Sequence, residues 1–149
     1  MNRLFIICLI FITVKAESQT LNDLSFGEAL NLDLITWNLE SFAKNDQTTL
    51  DSLTTAIIAL DVDVIAIQEI SNVSEFQALI NQLNGYSGHY SGSSSLKLGF
   101  IYKSSLVVNY ISNIYSSDSY NFAQRPPLVL GLSFNNEDFT IINVHLKCC

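Results

Sequence analysis

The sequence is short of positive charge. Its 149 residues include 7 Lys and Arg against 14 Asp and Glu, which gives a formal net charge of −7 at pH 7. An acidic surface repels phosphate-rich polymers over a Debye length, so the composition argues against tight non-specific binding of nucleic acid. It does not exclude catalysis on a phosphodiester, because a bound divalent cation can reverse the sign of the local charge.

The apolar run at the start of the chain is too short to cross a membrane. Residues 4–14 are apolar except for Thr13, and as a helix they would rise about 16 Å, whereas the hydrocarbon core is about 30 Å thick. A short start with one cation, Arg3, and the small residues of Val14-Lys15-Ala16 complete the pattern of a secretory signal peptide. We therefore predict a signal peptide over residues 1–16, a secreted or periplasmic protein, and no stable membrane anchor after cleavage.

Cleavage would leave an even more acidic chain with few cysteines. Loss of Arg3 and Lys15 leaves 5 Lys and Arg against the same 14 Asp and Glu, or −9. Of three cysteines, only the adjacent pair Cys148 and Cys149 would remain. A bridge between neighbours is sterically awkward, so export favours disulfide partners further along the chain. Ligation of a metal by this pair lacks the accompanying Cys or His spacing.

The mature chain has room for one domain at most. We predict that residues 17–30 are a leader and that residues 31–149 belong to the domain, which has no internal repeat. Apolar residues at three- and four-residue spacing indicate a helix over 45–60 and a second over 73–83, capped by Ser71 or Asn72 and ended by Gly85. Short apolar runs indicate strands over 32–37, 61–67, 96–102, 106–111, 128–134 and 139–144. Residues 115–124 read as a surface loop, and residues 135–138 as a hairpin turn.

This order predicts an α/β fold. Strand–helix–strand at the start favours a parallel pair joined by a right-handed crossover, and the later hairpins favour antiparallel pairing. We expect a two-sheet sandwich with flanking helices.

Two polar residues follow the first two predicted strands. Asn38 comes after the first strand and Glu69 after the second, and the carboxyl ends of parallel strands share one edge of a sheet, where open α/β sheets bind ligands. Glu69 is a candidate ligand for a hard cation, which prefers oxygen donors. The alternatives are a solvated strand-end residue for Glu69 and a turn residue for Asn38.

Arg125 and His145 are two further candidates. Two prolines follow Arg125 and restrict its backbone, and a rigidly held guanidinium suits a pair of phosphate oxygens; the alternative is a structural ion pair. His145 ends an apolar strand, where it can serve as an acid or base near neutral pH. A structural histidine is the alternative.

Four local motifs together resemble one family. They are Thr36-Trp37-Asn38-Leu39-Glu40, the run 61–69 that ends in Gln68-Glu69, Gln124-Arg125-Pro126-Pro127-Leu128, and Asn143-Val144-His145-Leu146-Lys147. In this order they are similar to the endonuclease/exonuclease/phosphatase superfamily, which has the deoxyribonuclease-I-like fold. The resemblance spans residues 32–147.

The resemblance implies a role for each candidate. Glu69 would bind the catalytic Mg²⁺ or another divalent cation, and Asn38 would orient that site. Arg125 would hold a non-bridging phosphate oxygen, and His145 would hydrogen-bond the scissile phosphate or assist the leaving group. The implied reaction is in-line attack of water on phosphorus.

Part of the family pattern is missing. The later Asp-x-Asn and Asp-His motifs do not occur in this sequence, so the resemblance covers the N-terminal part of a domain. We expect the 149-residue chain alone to be poorly folded and inactive, and a truncated gene model to be the explanation.

The resemblance leaves several functions open. It favours a secreted metal-dependent endonuclease, acting on nucleic acid or another phosphodiester. The alternatives are a sphingomyelinase or phosphoinositide phosphatase of the same fold, and an exported binding module without catalysis. No protein partner is implied.

Overall fold

The computed structural model describes residues 21–25, 28–44, 46–92 and 94–146. The predicted signal peptide, part of the leader and the pair Cys148–Cys149 lie outside these ranges. No helix among the described residues is long and apolar enough to cross a membrane.

The chain forms two helices and two sheets. The helices are α1 (Asp46–Leu60) and α2 (Val73–Gln82), and two short 3-10 helices lie at Leu21–Leu24 and Ser116–Phe122. The strands are β1 (Leu34–Phe42), β2 (Val64–Ile70), β3 (Tyr86–Tyr90), β4 (Lys97–Lys103), β5 (Val107–Asn113), β6 (Leu128–Phe134) and β7 (Glu137–Asn143). One sheet has the order β1-β2-β4-β3 and the other β5-β6-β7. β1 and β2 are parallel, as predicted, and every other neighbouring pair is antiparallel.

Alternation of side chains along the strands creates two cores. Val64 and Ala66 of β2 face the second sheet, where they pack with Phe100 of β4 and with alternate residues of β6. Ile65 and Ile67 point to the opposite face of β2 and pack under the two helices. The protein is therefore a two-sheet α/β sandwich with flanking helices, which confirms the predicted fold class.

The helix predictions hold to within one residue at each end. The carboxamide oxygen of Asn72 accepts hydrogen bonds from the backbone N–H groups of Ser74 and Glu75, so Asn72 is the residue that caps α2. The hydroxyl of Ser71 instead donates to the carbonyl of Phe42 at 2.6 Å. Gly85, with φ +85°, lies in the turn after α2, where a left-handed backbone favours glycine.

Some predicted boundaries were wrong. The second strand begins at Val64 because Asp61 has a left-handed backbone and Asp63 accepts a hydrogen bond from the N–H of Asp33 through its side chain. The hairpin turn is shorter than predicted: only Asn135 and Asn136, with φ 51° and 64°, form it, because asparagine tolerates this conformation. The predicted loop over 115–124 contains the 3-10 helix Ser116–Phe122.

Candidate active site

Asn38 and Glu69 lie where the pairing of β1 with β2 becomes irregular. The parallel register is regular up to Asn38, which lies opposite Gln68, and it resumes only with Phe42 opposite Ile70. The pairing of β2 with β4 is interrupted at the same level. Both residues therefore lie inside their strands, beside bulges, and the prediction that they follow the strand ends was wrong. The strands resume pairing after the bulges, which the sequence pattern did not indicate.

Left-handed backbone conformations shape this bulged region. Glu40, Ser41 and Glu69 have φ values of 47°, 60° and 66°. The conformation of Glu69 breaks the alternation of β2, so that the glutamate side chain lies beside β1 and keeps 18 % of its surface exposed. A bulge of this kind re-aims a side chain out of the regular pattern of a strand.

The carboxylate of Glu69 is held from two sides by β1. Asn38 donates its Nδ2 to Oε1 of Glu69 at 3.2 Å, and the backbone N–H of Ser41 donates to Oε2 at 3.0 Å. Asn38 is oriented in turn by its Oδ1, which accepts from the N–H of Glu40 at 2.9 Å. The amide and the carboxylate that the sequence places far apart are therefore in direct contact.

Arg125 is presented by a turn that ends in two buried prolines. Ala123 and Gln124 are left-handed, with φ 53° and 63°, and the N–H of Arg125 donates to the carbonyl of Phe122 at 2.9 Å. Pro126 and Pro127 are buried. The side-chain amide of Asn113 donates to the carbonyl of Pro126 at 3.0 Å. The backbone around the guanidinium is thus anchored to β5.

His145 connects Arg125 to Glu69. Nη1 of Arg125 lies 2.9 Å from Nδ1 of His145, and Nε2 of His145 lies 3.5 Å from Oε1 of Glu69. Because a guanidinium only donates, Nδ1 must accept, so a neutral His145 carries its proton on Nε2, on the side of Glu69. Burial lowers the pKa of His145 below its ordinary value, the charge of Arg125 lowers it further, and Glu69 opposes both.

All four predicted residues therefore form one continuous group of contacts. The order is Arg125, His145, Glu69 and Asn38, drawn from the turn before β6, the segment after β7, and strands β2 and β1. The amide of Asn38, the N–H of Ser41 and the imidazole of His145 converge on the Glu69 carboxylate, and Arg125 contacts the far side of the imidazole. The geometry brings the predicted residues together, while the role of each remains a prediction.

Two buried amides beneath the site were missed by the sequence analysis. Nε2 of Gln68 donates to Oδ1 of Asn143 at 2.7 Å, and Nδ2 of Asn143 donates to the carbonyls of Ile67 and Gly99 at 2.8 and 2.9 Å. Gln68 also lies within 3.0 Å of the hydroxyl of Thr36. These bonds join both sheets directly below Glu69 and His145. An amide inside an otherwise apolar strand was the available signal, since buried polar groups require partners.

The residues present fit a hard divalent cation in donor chemistry. Mg²⁺ is commonly held by one or two carboxylates together with water and substrate phosphate, and Glu69 offers a partly exposed carboxylate with lone pairs beyond the two hydrogen bonds that it accepts. No group of three or more His, Cys, Asp or Glu side chains suited to a metal occurs in the described part of the chain.

A polar cleft of about 590 Å³ opens beside Arg125. It lies between the segment before β4 and the 3-10 helix Ser116–Phe122. Its polar lining consists of four serines, one carboxamide and the guanidinium, namely Ser94, Ser95, Ser116, Ser119, Gln124 and Arg125.

Comparison with known proteins agrees with the fold. D. rerio TDP2 complexed with single strand DNA product superposes with a TM-score of 0.66 at 17% identity, over 79% of this chain and 47% of that chain. An endonuclease/exonuclease/phosphatase family protein from Leptotrichia buccalis C-1013-b gives 0.63 at 17% identity, over 78% and 54%. Truncated Caenorhabditis elegans TDP2 gives 0.65 at 17% identity, over 79% and 47%. The chain thus spans about half the length of these structures. No curated protein matches its sequence significantly.

The fold is a deoxyribonuclease-I-like α/β sandwich. The family model "Endonuclease/Exonuclease/phosphatase family" matches residues 35–139, a range that contains Asn38, Glu69 and Arg125 and ends before His145. The chain belongs to the endonuclease/exonuclease/phosphatase family.

Proposed function

We propose that the protein hydrolyses phosphodiester bonds with the help of Mg²⁺ or another divalent cation. The observation that carries this proposal is the unbroken contact series from Arg125 through His145 and Glu69 to Asn38. The carboxylate of Glu69 suits a divalent metal ion, and the guanidinium of Arg125 and the imidazole of His145 suit a phosphate. All three groups lie on one edge of the sandwich.

Each side chain has a task that its contacts support. Glu69 would hold the metal, which when bound supplies Lewis-acid stabilisation of the charge on the phosphate. Asn38 orients the Glu69 carboxylate through its hydrogen bond. Arg125 places a fixed positive charge where the phosphate oxygens become more negative. His145, neutral and protonated on Nε2, donates a hydrogen bond to the phosphate or to the leaving oxygen, which assists departure of the leaving group.

Nucleic acid is the first substrate class that we propose, with the protein acting as a secreted endonuclease. The structural similarity to a TDP2 complex that contains a single strand DNA product supports this choice. A sphingomyelinase or phosphoinositide phosphatase of the same fold is the second candidate, and an exported binding module without catalysis is the third. Secretion rests on the predicted signal peptide over residues 1–16.

The test is cleavage by the purified protein with and without Mg²⁺. Plasmid DNA, sphingomyelin, a phosphoinositide and methyl p-nitrophenyl phosphate are compared as substrates, and we expect metal-dependent cleavage of DNA to be fastest. Glu69→Ala and His145→Ala should each reduce it by at least about a hundredfold, the scale of losing one group that stabilises charge or transfers a proton.

Two matched variants control this experiment. Glu137→Ala and His89→Ala remove the same side chains from exposed positions in β7 and β3, and we expect full activity from both. If Glu69→Ala and His145→Ala cleaved DNA as well as these controls, the assignment of the site would be wrong. If no phosphodiester were cleaved by any form, the binding-module alternative would replace the enzyme.

The length of protein used matters for this test. The edge strands β1 and β7 carry exposed apolar side chains, including Leu34 and Ile142, which border a cleft between the two sheets. We expect the 149-residue chain alone to be inactive, so the assay is run on it and on any longer form that its gene encodes. Equal activity of the two forms would contradict this expectation.

A further inference from the structure

The serine-lined cleft beside Arg125 has donors that the protein itself does not use. Within the described part of the chain, the hydroxyls of Ser95 and Ser116 have no hydrogen-bond partner. The hydroxyl of Ser94 donates to the carbonyl of Leu96, and that of Ser119 to the side chain of Gln124. A guanidinium has five N–H donors, and the only hydrogen-bond partner of the Arg125 guanidinium among the described residues is Nδ1 of His145. Its Nε is buried without any partner. Leaving a buried charged donor without a hydrogen bond costs free energy, which indicates that the Arg125 side chain binds a ligand.

Among the described residues, the Lys and Arg side chains that form no ion pair lie at this cleft. In the described ranges, Lys44 pairs with Glu40 at 2.7 Å, and Lys103 pairs with Asp61 and Asp63 at 3.1 and 3.2 Å.

The other two described cations behave differently. Arg125 and Lys97 have no carboxylate within ion-pair distance among the described residues. The ammonium of Lys97 donates to the carbonyl of Ser94 at 2.5 Å, at the rim of the cleft. In a chain of net charge −7, these two cations make the cleft the part of the described surface best suited to an anion.

Two exposed tyrosines lie next to lining residues of the same cleft along the chain. Tyr115 and Tyr120 are 64% and 76% exposed, and each is the chain neighbour of a serine that lines the cleft. Tyr115 already stacks on Phe122, with 5.9 Å between ring centroids and 21° between planes. Because most of the Tyr115 surface is exposed, the stack has room for another flat ring.

We propose that this cleft and its two tyrosines bind single-stranded nucleic acid next to the scissile phosphate. A phosphate contacts Arg125, the serine hydroxyls hydrogen-bond the adjacent sugar, and bases stack on Tyr115 and Tyr120. The combination of a cationic groove with sequence-tolerant stacking is how proteins bind single strands. The proposal rests on the proposed function and narrows its substrate class.

The same observations disfavour a lipid substrate. Recognition of polyphosphoinositides depends on clusters of four or more Lys and Arg, and this cleft has two cations at its border. Six of the nine residues that line it are polar, and the apolar remainder is limited to Leu96, Ala123 and Pro126, a small surface for acyl chains. The two exposed tyrosines are chain neighbours of serines that line this cleft.

Equilibrium binding tests the proposal without catalysis. A labelled single-stranded oligodeoxynucleotide is titrated with the protein in EDTA and compared with an abasic oligomer of the same length, which keeps every phosphate and sugar but lacks the bases. We expect the base-bearing strand to bind more tightly. Tyr120→Ala should weaken its binding about five- to a hundredfold and leave the abasic strand unchanged.

Two further variants separate stacking from charge. Tyr120→Phe keeps the ring and should bind like the unaltered protein. Lys97→Gln should weaken both oligomers alike and make binding less dependent on salt. Since Tyr120 is largely exposed, its variants should unfold at the same urea concentration as the unaltered protein.

The outcomes distinguish this proposal from the proposed function. Equal binding of base-bearing and abasic strands, or no effect of Tyr120→Ala, would overturn the stacking site even if methyl p-nitrophenyl phosphate were still hydrolysed. Base-dependent binding that vanishes in Tyr120→Ala would support it even if no hydrolysis occurred. Tighter binding to sphingomyelin vesicles than to the oligomer, lost in Tyr120→Ala, would assign the cleft to a lipid and overturn the proposal.

Discussion

Replacing Asn143 by leucine removes the buried link between the two sheets under the site. Asn143 is 2% exposed. The substitution eliminates its hydrogen bonds to Gln68 and to the carbonyls of Ile67 and Gly99, while the new side chain is of similar size. A buried hydrogen bond contributes about 0.5–1.5 kcal/mol net, so three of them predict a loss of roughly 2–4 kcal/mol in the free energy of unfolding.

Urea unfolding followed by tryptophan fluorescence measures this loss. Trp37 is the only tryptophan of the chain, and it packs against the helix-side core, so its emission reports on the sandwich itself. With a denaturant slope of about 1–3 kcal/mol per M, the midpoint should fall by about 0.7–4 M, and by about 1.5 M at the middle of both ranges. The slope should stay unchanged, since the folded structure remains compact.

The matched control is Asn121→Leu, at an exposed position of the 3-10 helix where the side chain makes one hydrogen bond, to Asp118 at 2.8 Å. Such surface changes usually stay within about 0.5 kcal/mol. A destabilisation by Asn143→Leu no larger than that of the control would refute the reasoning, because the amide network would then contribute nothing net to stability.

Three further predictions concern the site and the framework around it. NMR titration without metal should give His145 a pKa below its ordinary value of about 6.5. Arg125→Gln removes a cation and should raise that pKa, whereas Glu69→Gln removes an anion and should lower it further. An unchanged pKa in both variants would contradict the contacts of His145. The lowered pKa disfavours protonated His145 in the folded state, so the free energy of unfolding should decrease as the pH falls below about 6.5, with no effect of His145 above that pH. If a His145→Gln variant kept the same pH dependence of unfolding, His145 would be excluded as its source. Asn72→Ala should lower the free energy of unfolding by about 1 kcal/mol through loss of the helix cap, measured by the same urea titration, with no change expected in the activity.

The elements that depend on local pattern were predictable. Leu50, Leu53 and Ile57 are spaced by three and four residues, and they form the buried face of α1. The parallel pairing of β1 with β2 followed from the helix between them, and this pairing was sufficient to place Asn38 beside Glu69. Local periodicity and one topological rule thus accounted for half of the site.

The remaining features depend on contacts that no local pattern encodes. The bulges that direct Glu69 toward β1 arise because the pairing register changes along β1, β2 and β4. Register depends on two strands together, so the sequence of one strand alone does not predict it. The contact of Arg125 with His145 joins the turn before β6 to the segment that follows β7. The 3-10 helix at Ser116–Phe122 is too short and too polar to show a period, so the cleft that it borders was invisible in the sequence.

Backbone strain points independently to the same region. A left-handed conformation costs a residue other than glycine roughly 1–2 kcal/mol, and asparagine and aspartate bear it most easily. Away from the four site residues the described non-glycine left-handed residues are Asp61, Asn135 and Asn136, which are of this tolerant kind, and Tyr115, which precedes the 3-10 helix beside the cleft.

At the site the left-handed residues are of less tolerant types. They are Glu40, Ser41, Glu69, Ala123 and Gln124. The N–H of Ser41 contacts the Glu69 carboxylate, and that of Glu40 contacts Asn38. Ala123 and Gln124 directly precede Arg125. Strain of this kind persists where surrounding structure over-determines it, and it concentrates at functional sites. The buried amides of Gln68 and Asn143 and the buried prolines after Arg125 are the structure that holds these conformations in place. The same features that make the site hard to predict from local sequence are therefore those that keep the carboxylate, imidazole and guanidinium in contact.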